Sequence, residues 1–278
     1  KLSVIDSSVQ VFVFSSDGLN LYILGGESRK VFQFSLSTAW MISTIDPTPI
    51  SSFSVLDQDI FPTGLFLNSD GSNMYVIGRS TDSIYQYSLS TNWQLSSTNP
   101  TPISSFSVAV QDDFPTGIFF STDGLKLYMA GANSEKIYYY SLSTAWMIST
   151  IDPTPISSFN VGFQLNRPSG LFFNSNGSKL YVMGKQLDRL SQYNLSTDWD
   201  ITTATFVFSF TSLGTQVDNP TGIFFSADGL NFYTAGRDAN VFQYSLSTIG
   251  ELDSTNSTPI SYFNLGGVED IPTGIFFS

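Results

Sequence analysis

The chain has 278 residues, of which 41% are hydrophobic, 15% aromatic and only 12% charged, a mix with ample material for a core and too apolar for a disordered chain. A net charge of -12 and a pI near 4.1 argue against nucleic acid and anionic membranes as partners, because both are recognised through clustered Lys and Arg. With no His and no Cys, the Ser-His-Asp triad, Cys-His nucleophiles, His-ligated zinc and c-type haem attachment are all excluded.

The chain opens on KLSVIDSS, which has neither an initiating Met nor the basic-then-apolar layout of a signal peptide. It therefore reads as a piece of a longer or processed polypeptide. No stretch approaches the roughly 18 consecutive apolar residues of a spanning helix, so no membrane insertion is expected. The residues LSVID match the outermost strand of the units that follow (compare Ser54-Val55-Leu56-Asp57).

From there the sequence repeats. PTGLFLN starts at Pro62, PTGIFFS at Pro115, PSGLFFN at Pro168, and PTGIFFS again at Pro220 and Pro272, so the prolines fall 53, 53, 52 and 52 residues apart. A fixed period of this size means a repeat architecture in one domain, with units at 9–61, 62–114, 115–167, 168–219 and 220–271 and partial units at 1–8 and 272–278. The first unit has Val9-Gln10-Val11 in place of the Pro-Thr/Ser-Gly start. The third shows the anatomy: GIFFS at 117–121 ends in the turn signal Thr122-Asp123-Gly124, then come LKLYMAG at 125–131 and KIYYYSLS at 136–143. A connection carrying Trp146 and Pro153-Thr154-Pro155 leads to a fourth strand at 156–161. That makes four strands and no helix pattern. The first strand is apolar on both faces and should be innermost, whereas the fourth alternates, as in Ile103-Ser104-Ser105-Phe106-Ser107-Val108, and should be outermost. The fourth unit has Asn176 for the turn Asp, and the fifth has Ile249 where others have Trp40, Trp93, Trp146 and Trp199.

Four-stranded antiparallel sheets repeating every 53 residues or so describe the blades of a β-propeller, an all-β fold. The phrase P-T-G-I-F-F-S-x-D-G-x-x-x-Y, followed by a Gly loop and I-Y-x-Y-S-L-S-T-x-W, resembles YVTN/NHL-like propeller repeats over essentially the whole chain. More narrowly it looks like the aromatic, Ser/Thr-rich version found in marine bacteria and their phages, including virion and tail-associated proteins. The terminal PTGIFFS and the initial LSVID would be the inner and outer strands of a further blade, so six or seven blades are expected in the parent, with a five-bladed ring as the alternative. The lone strands would also be available for assembly with another subunit.

The framework is nearly copied: SLSTAWMISTIDPTPISSF at 35–53 recurs at 141–159. The loops between strands two and three, and those joining strand four to the next unit, are not copied, and in a four-stranded meander both sets emerge at one face. They hold the candidate binding residues Arg29, Arg79, Asp82, Asp112, Asp113, Arg167, Asp188, Arg189, Arg237 and Asp238. Rigid strands presenting variable, mixed-charge loops point to a non-catalytic recognition or assembly module, extracellular or on a virion surface, that binds a glycan or a protein subunit. The alternative is a hydrolase or lactonase-like enzyme using channel carboxylates. No cofactor is required, although Asp57, Asp59, Asp113 and Asp270 are candidate Ca²⁺ ligands if they converge near the channel. The turn acids Asp17, Asp70, Asp123 and Asp228 read as turn residues, and the recurring Trp as inter-blade packing.

Overall fold

A computed structural model describes residues 5–211, 213, 217, 219–236 and 239–265. Each unit forms one antiparallel sheet with its strands in sequence order. Blade 1 holds β1 (Val9–Phe14), β2 (Asn20–Gly25), β3 (Lys30–Ser35) and β4 (Ser51–Ser54). Blade 2 holds β5 (Pro62–Leu67), β6 (Asn73–Gly78), β7 (Ser83–Ser88) and β8 (Ser104–Ser107), and blade 3 holds β9 (Pro115–Phe120), β10 (Lys126–Gly131), β11 (Lys136–Ser141) and β12 (Ser157–Asn160). Blade 4 has β13 (Pro168–Phe173), β14 (Lys179–Gly184), β15 (Arg189–Leu195) and β16 (Ala204–Phe210), and blade 5 has β17 (Pro220–Phe225), β18 (Asn231–Gly236), β19 (Asn240–Ser245) and β20 (Ser261–Asn264).

The radial order follows the sequence pattern. The second strands are the most buried, because sheets cover them on both faces. The outer strands β4, β8, β12 and β20 alternate between sheltered and exposed residues, with exposed serines blunting the edge. One feature departs from the four-strand reading: each connection from strand three to strand four contains a single 3₁₀ turn, at Ile42–Thr44, Leu95–Ser97, Ile148–Thr150, Ile201–Thr203 and Leu252–Ser254. Its first residue is an aliphatic plug buried between blades. Three residues are too few for a helical period to show.

Two sets of hydrogen bonds join the blades. Near the axis, hydroxyls on the inner strands donate to the carbonyl that begins the next one: Thr63 to Pro115, Thr116 to Pro168, Ser169 to Pro220 and Thr221 to Val9, at 2.7 to 2.9 Å. The inner strands can approach this closely because the next residue is glycine; a Cβ on Gly64 would lie 2.6 Å from the Thr116 carbonyl oxygen. Farther out, a buried Tyr on each second strand donates to a backbone carbonyl of the following blade: Tyr22 to Trp93, Tyr75 to Trp146, Tyr128 to Trp199, Tyr181 to Gly250 and Tyr233 to Trp40. Burial pushes these phenols well above their ordinary pKa, so they stay protonated and donating. The Trp rings pack between blades as the sequence indicated, Trp146 against both Phe66 and Phe120.

Both sets run from blade 5 back to blade 1, through Thr221 to Val9 and Tyr233 to Trp40. The expectation of six or seven blades is therefore corrected: the described residues close a five-bladed ring in which β1 lies directly beside β17. The reading of LSVID as an outer strand changes as well. Ile5 and Asp6 belong to the lead-in of blade 1, where Asp6 occupies the place of Asp59, while residues 1–4 and the final PTGIFFS lie outside the described residues.

Candidate functional site

The two variable loop sets emerge on one face, and there the channel opens into a pocket of about 290 Å³. Two register positions build its wall. The residue directly after the glycine ending each second strand supplies Gly26, Arg79, Ala132 and Lys185; the residue directly before each inner strand supplies Phe61, Phe114, Arg167 and Asn219. Beneath them lie Gln10, Thr63, Thr116, Ser169 and Thr221. Because neither position carries the same residue all the way round, a nearly five-fold framework presents an asymmetric mouth.

The mouth is cationic in a protein of net charge -12: Arg79, Arg167 and Lys185 line it, and no acid does among the described residues. Aromatic faces hold the guanidinium groups. Arg79 lies over Phe61 at 4.7 Å and Phe114 at 4.6 Å, and Arg167 over Phe114 at 4.9 Å, so one ring orients two cations. Arg167 has a left-handed backbone (φ 55°), an unfavourable conformation for a residue with a long side chain.

The expected acids do not converge on this channel. Asp59 is buried and accepts from the backbone N–H groups of Phe61, Ser80 and Thr81 and from the Thr81 hydroxyl. Asp112 does the same for Phe114, Asn133 and Ser134. Each clamps the lead-in of its blade to the loop after the second strand, and so fixes the backbone on which the pocket residues sit. Asp57 is exposed, and Asp113 accepts from the Asn133 side chain at 2.7 Å. Among the described residues no group of three or more acids could hold a metal ion. Asp57, Asp59 and Asp113 thus do not gather into the arrangement envisaged for Ca²⁺, and Asp270 lies outside the described residues.

The remaining candidates separate by position. Arg29, Asp82 and Asp188, together with Glu135, occupy the left-handed turn residue before each third strand, at φ 52°, 46°, 46° and 55°. Arg29 donates to the carbonyls of Glu27 and Ile60 and braces two loops, away from the pocket wall. Arg189 opens β15 opposite Gly184. Arg237 and Asp238 lie outside the described residues.

Burial first, then the charges of Asp113, Asp59 and Asp112, raise the pKa of Asp82, and its Oδ1 is buried with no hydrogen-bond partner. An acid whose folded pKa is raised stabilises the fold below its unfolded pKa of about 4 and loses that contribution as pH rises through the folded value. Asp82→Asn should therefore raise Tm at pH 7 by about 1–2 °C, small because the side chain is only partly buried, and the gain should vanish below about pH 4. Thermal melts at both pH values check this; an unchanged or lower Tm at pH 7 refutes it.

Lys185, Phe61 and Phe114 complete the pocket and were not singled out by sequence. Aligning the units shows why they could have been. Gly26, Arg79, Ala132, Lys185 and Arg237 fall at one repeat position, and a cation recurs there in three units of five.

Residues 11–147 match a family described as Lactonase, 7-bladed beta-propeller. No curated protein matches the chain. Solved structures share the fold at low identity. A protein of unknown function from Desulfotomaculum acetoxidans is 13% identical with a TM-score of 0.52, over 97% of this chain and 74% of that one. Candidate 6-phosphogluconolactonases from Bacteroides uniformis (14%, TM-score 0.52, 89% and 71% covered) and Bacteroides fragilis (13%, 0.52, 91% and 69%) are also similar. At these identities the likeness establishes the propeller fold. The lactonase match corrects the expectation of a non-catalytic module and favours the enzyme alternative. The mouth is also asymmetric, as a single catalytic site requires, although the framework around it is nearly copied.

Proposed function

We propose that this protein, a propeller of YVTN/NHL-like repeats, is a hydrolase that opens lactones of sugar acids at the cationic mouth of its channel. The observation that carries the reading is the gathering of Arg79, Arg167 and Lys185 around one pocket in an acidic chain, on a scaffold whose first half matches a lactonase family. In lactone hydrolysis a water oxygen adds to the carbonyl carbon, and the carbonyl π pair becomes an oxyanion. Collapse breaks the ring C–O bond, the alkoxide takes up a proton, and the new carboxylic acid releases one to solvent. Cations aimed at the carbonyl oxygen stabilise the oxyanion more than the ground state, which lowers the barrier. They also attract an anionic substrate and hold the product carboxylate. Since no described acid lines the pocket, the chemistry rests on electrostatic stabilisation and not on the channel carboxylates first envisaged.

The test follows acid release at constant pH with glucono-1,5-lactone and its 6-phosphate ester as substrates. Turnover above the spontaneous rate, faster for the phosphorylated lactone, supports the proposal. Failure to accelerate either substrate rules it out.

A further inference from the structure

The opposite end of the channel widens into a larger cavity of about 470 Å³, separate from the cationic mouth. Its wall is aromatic. Phe66, Phe119, Phe172 and Phe224 share one register position on the inner strands and meet edge to face around the axis, with centroids 5.4, 5.2 and 5.3 Å apart and interplanar angles of 70°, 67° and 64°. Each is only partly buried although it lies at the centre of the molecule, because it faces the cavity. In the fifth blade of this circle, blade 1, the position holds Val13.

Above the circle, Trp146 stacks on Phe66 of the preceding blade (6.3 Å, 17°) and Trp40 on Phe224 (6.1 Å, 19°). Trp93 and Trp199 lie instead against the second-strand tyrosine of the preceding blade, Tyr22 and Tyr128, each with centroids 6.3 Å apart. The cavity's charged residues are already engaged, Lys179 with Glu251, and Asp228 with the Ser226 hydroxyl and the Leu230 N–H.

We propose that this cavity binds an uncharged, flat aromatic molecule, one ring of which takes the place of the missing fifth phenylalanine beside Val13. The size falls within the roughly 300–1,000 Å³ of small-molecule sites, and apolar cavities hold water poorly and accept apolar guests. The flanking Phe faces and edges offer the guest the same edge-to-face geometry they offer each other. Neutrality follows because, among the described residues, the wall's two charged side chains, Lys179 and Asp228, are already engaged.

The experiment titrates the full chain with N-phenyl-1-naphthylamine, following probe fluorescence and the tryptophan emission of the cavity wall. Wild-type protein should bind saturably with one probe per chain. Val13→Phe supplies the missing ring, and should raise Tm while weakening the probe by at least about tenfold. Val13→Leu, a smaller change that keeps the result interpretable if the first variant folds poorly, should weaken it by about threefold. Absence of saturable binding, more than one probe per chain, or undiminished affinity in a folded Val13→Phe or Val13→Leu variant each overturns the proposal.

Discussion

Replacing Arg79 and Arg167 together by alanine is expected to lower kcat/KM for a phosphorylated sugar lactone by about 10²–10³, the range seen when a preorganised oxyanion donor is lost. The two guanidinium groups share the Phe114 ring, so they act from one rigid platform and their effects should not be independent. Removing either one leaves the other with a changed neighbour, and the double variant should fall short of the product of the singles. Arg79→Lys keeps the charge but loses the planar fork and much of the stacking on Phe61 and Phe114, so it should recover only part of the activity. Both residues sit on partly exposed loops, so Tm should move little. An unchanged kcat/KM in the double variant would remove the cationic mouth from the catalytic reading, whatever activity the protein has.

The second large effect concerns stability. Asp59→Ala should cost about 3 kcal/mol, or roughly 6–12 °C in Tm, because it leaves three backbone N–H groups and a hydroxyl in a buried site without their acceptor. The same clamp positions the loop that carries Arg79. Lost activity should therefore accompany lost stability, together with faster amide exchange at Ser80 and Thr81. Blade 4 shows the apolar solution to the same problem: Leu165 fills the corresponding place, packed against Gly184. Asp59→Leu should consequently be no better than Asp59→Ala in blade 2, where the loop N–H groups are arranged around a carboxylate. A Tm within 2 °C of wild type, on the scale of roughly 2–4 °C per kcal/mol, would show that water replaces the carboxylate at little cost.

The position of the candidate site was legible, and its chemistry was not. Loop variability between copied units marked the face on which the cationic pocket opens, and Arg79 and Arg167 were among the residues named there. The acids of those loops were read as ligands because a string of letters does not show where a carboxylate points. Asp59 and Asp112 turn out to face backbone N–H groups of an adjacent loop some 20 residues away, a pairing visible only in three dimensions. The replacement of Trp by Ile249 was likewise displaced by one residue. In the structure the left-handed position held by Trp40, Trp93, Trp146 and Trp199 is taken by Gly250, which accepts the Tyr181 hydroxyl bond, while Ile249 covers Gly229.

The sequence by itself determined the repeat, the four strands of each unit, their inner-to-outer order, the turns and the face on which the loops vary. These properties are local: they follow from period-two alternation, from turn residues such as Asp123-Gly124, and from copying of one unit. The number of blades, the Val9 carbonyl as the closing acceptor for Thr221, and the convergence of Arg79, Arg167 and Lys185 on one axis were decided only by tertiary structure. Ring closure depends on the angle between neighbouring sheets, which is set by side chains packed across each interface and by the glycines that let inner strands approach. That angle is a property of contacts between units 53 residues apart, and the pattern within any one unit does not contain it.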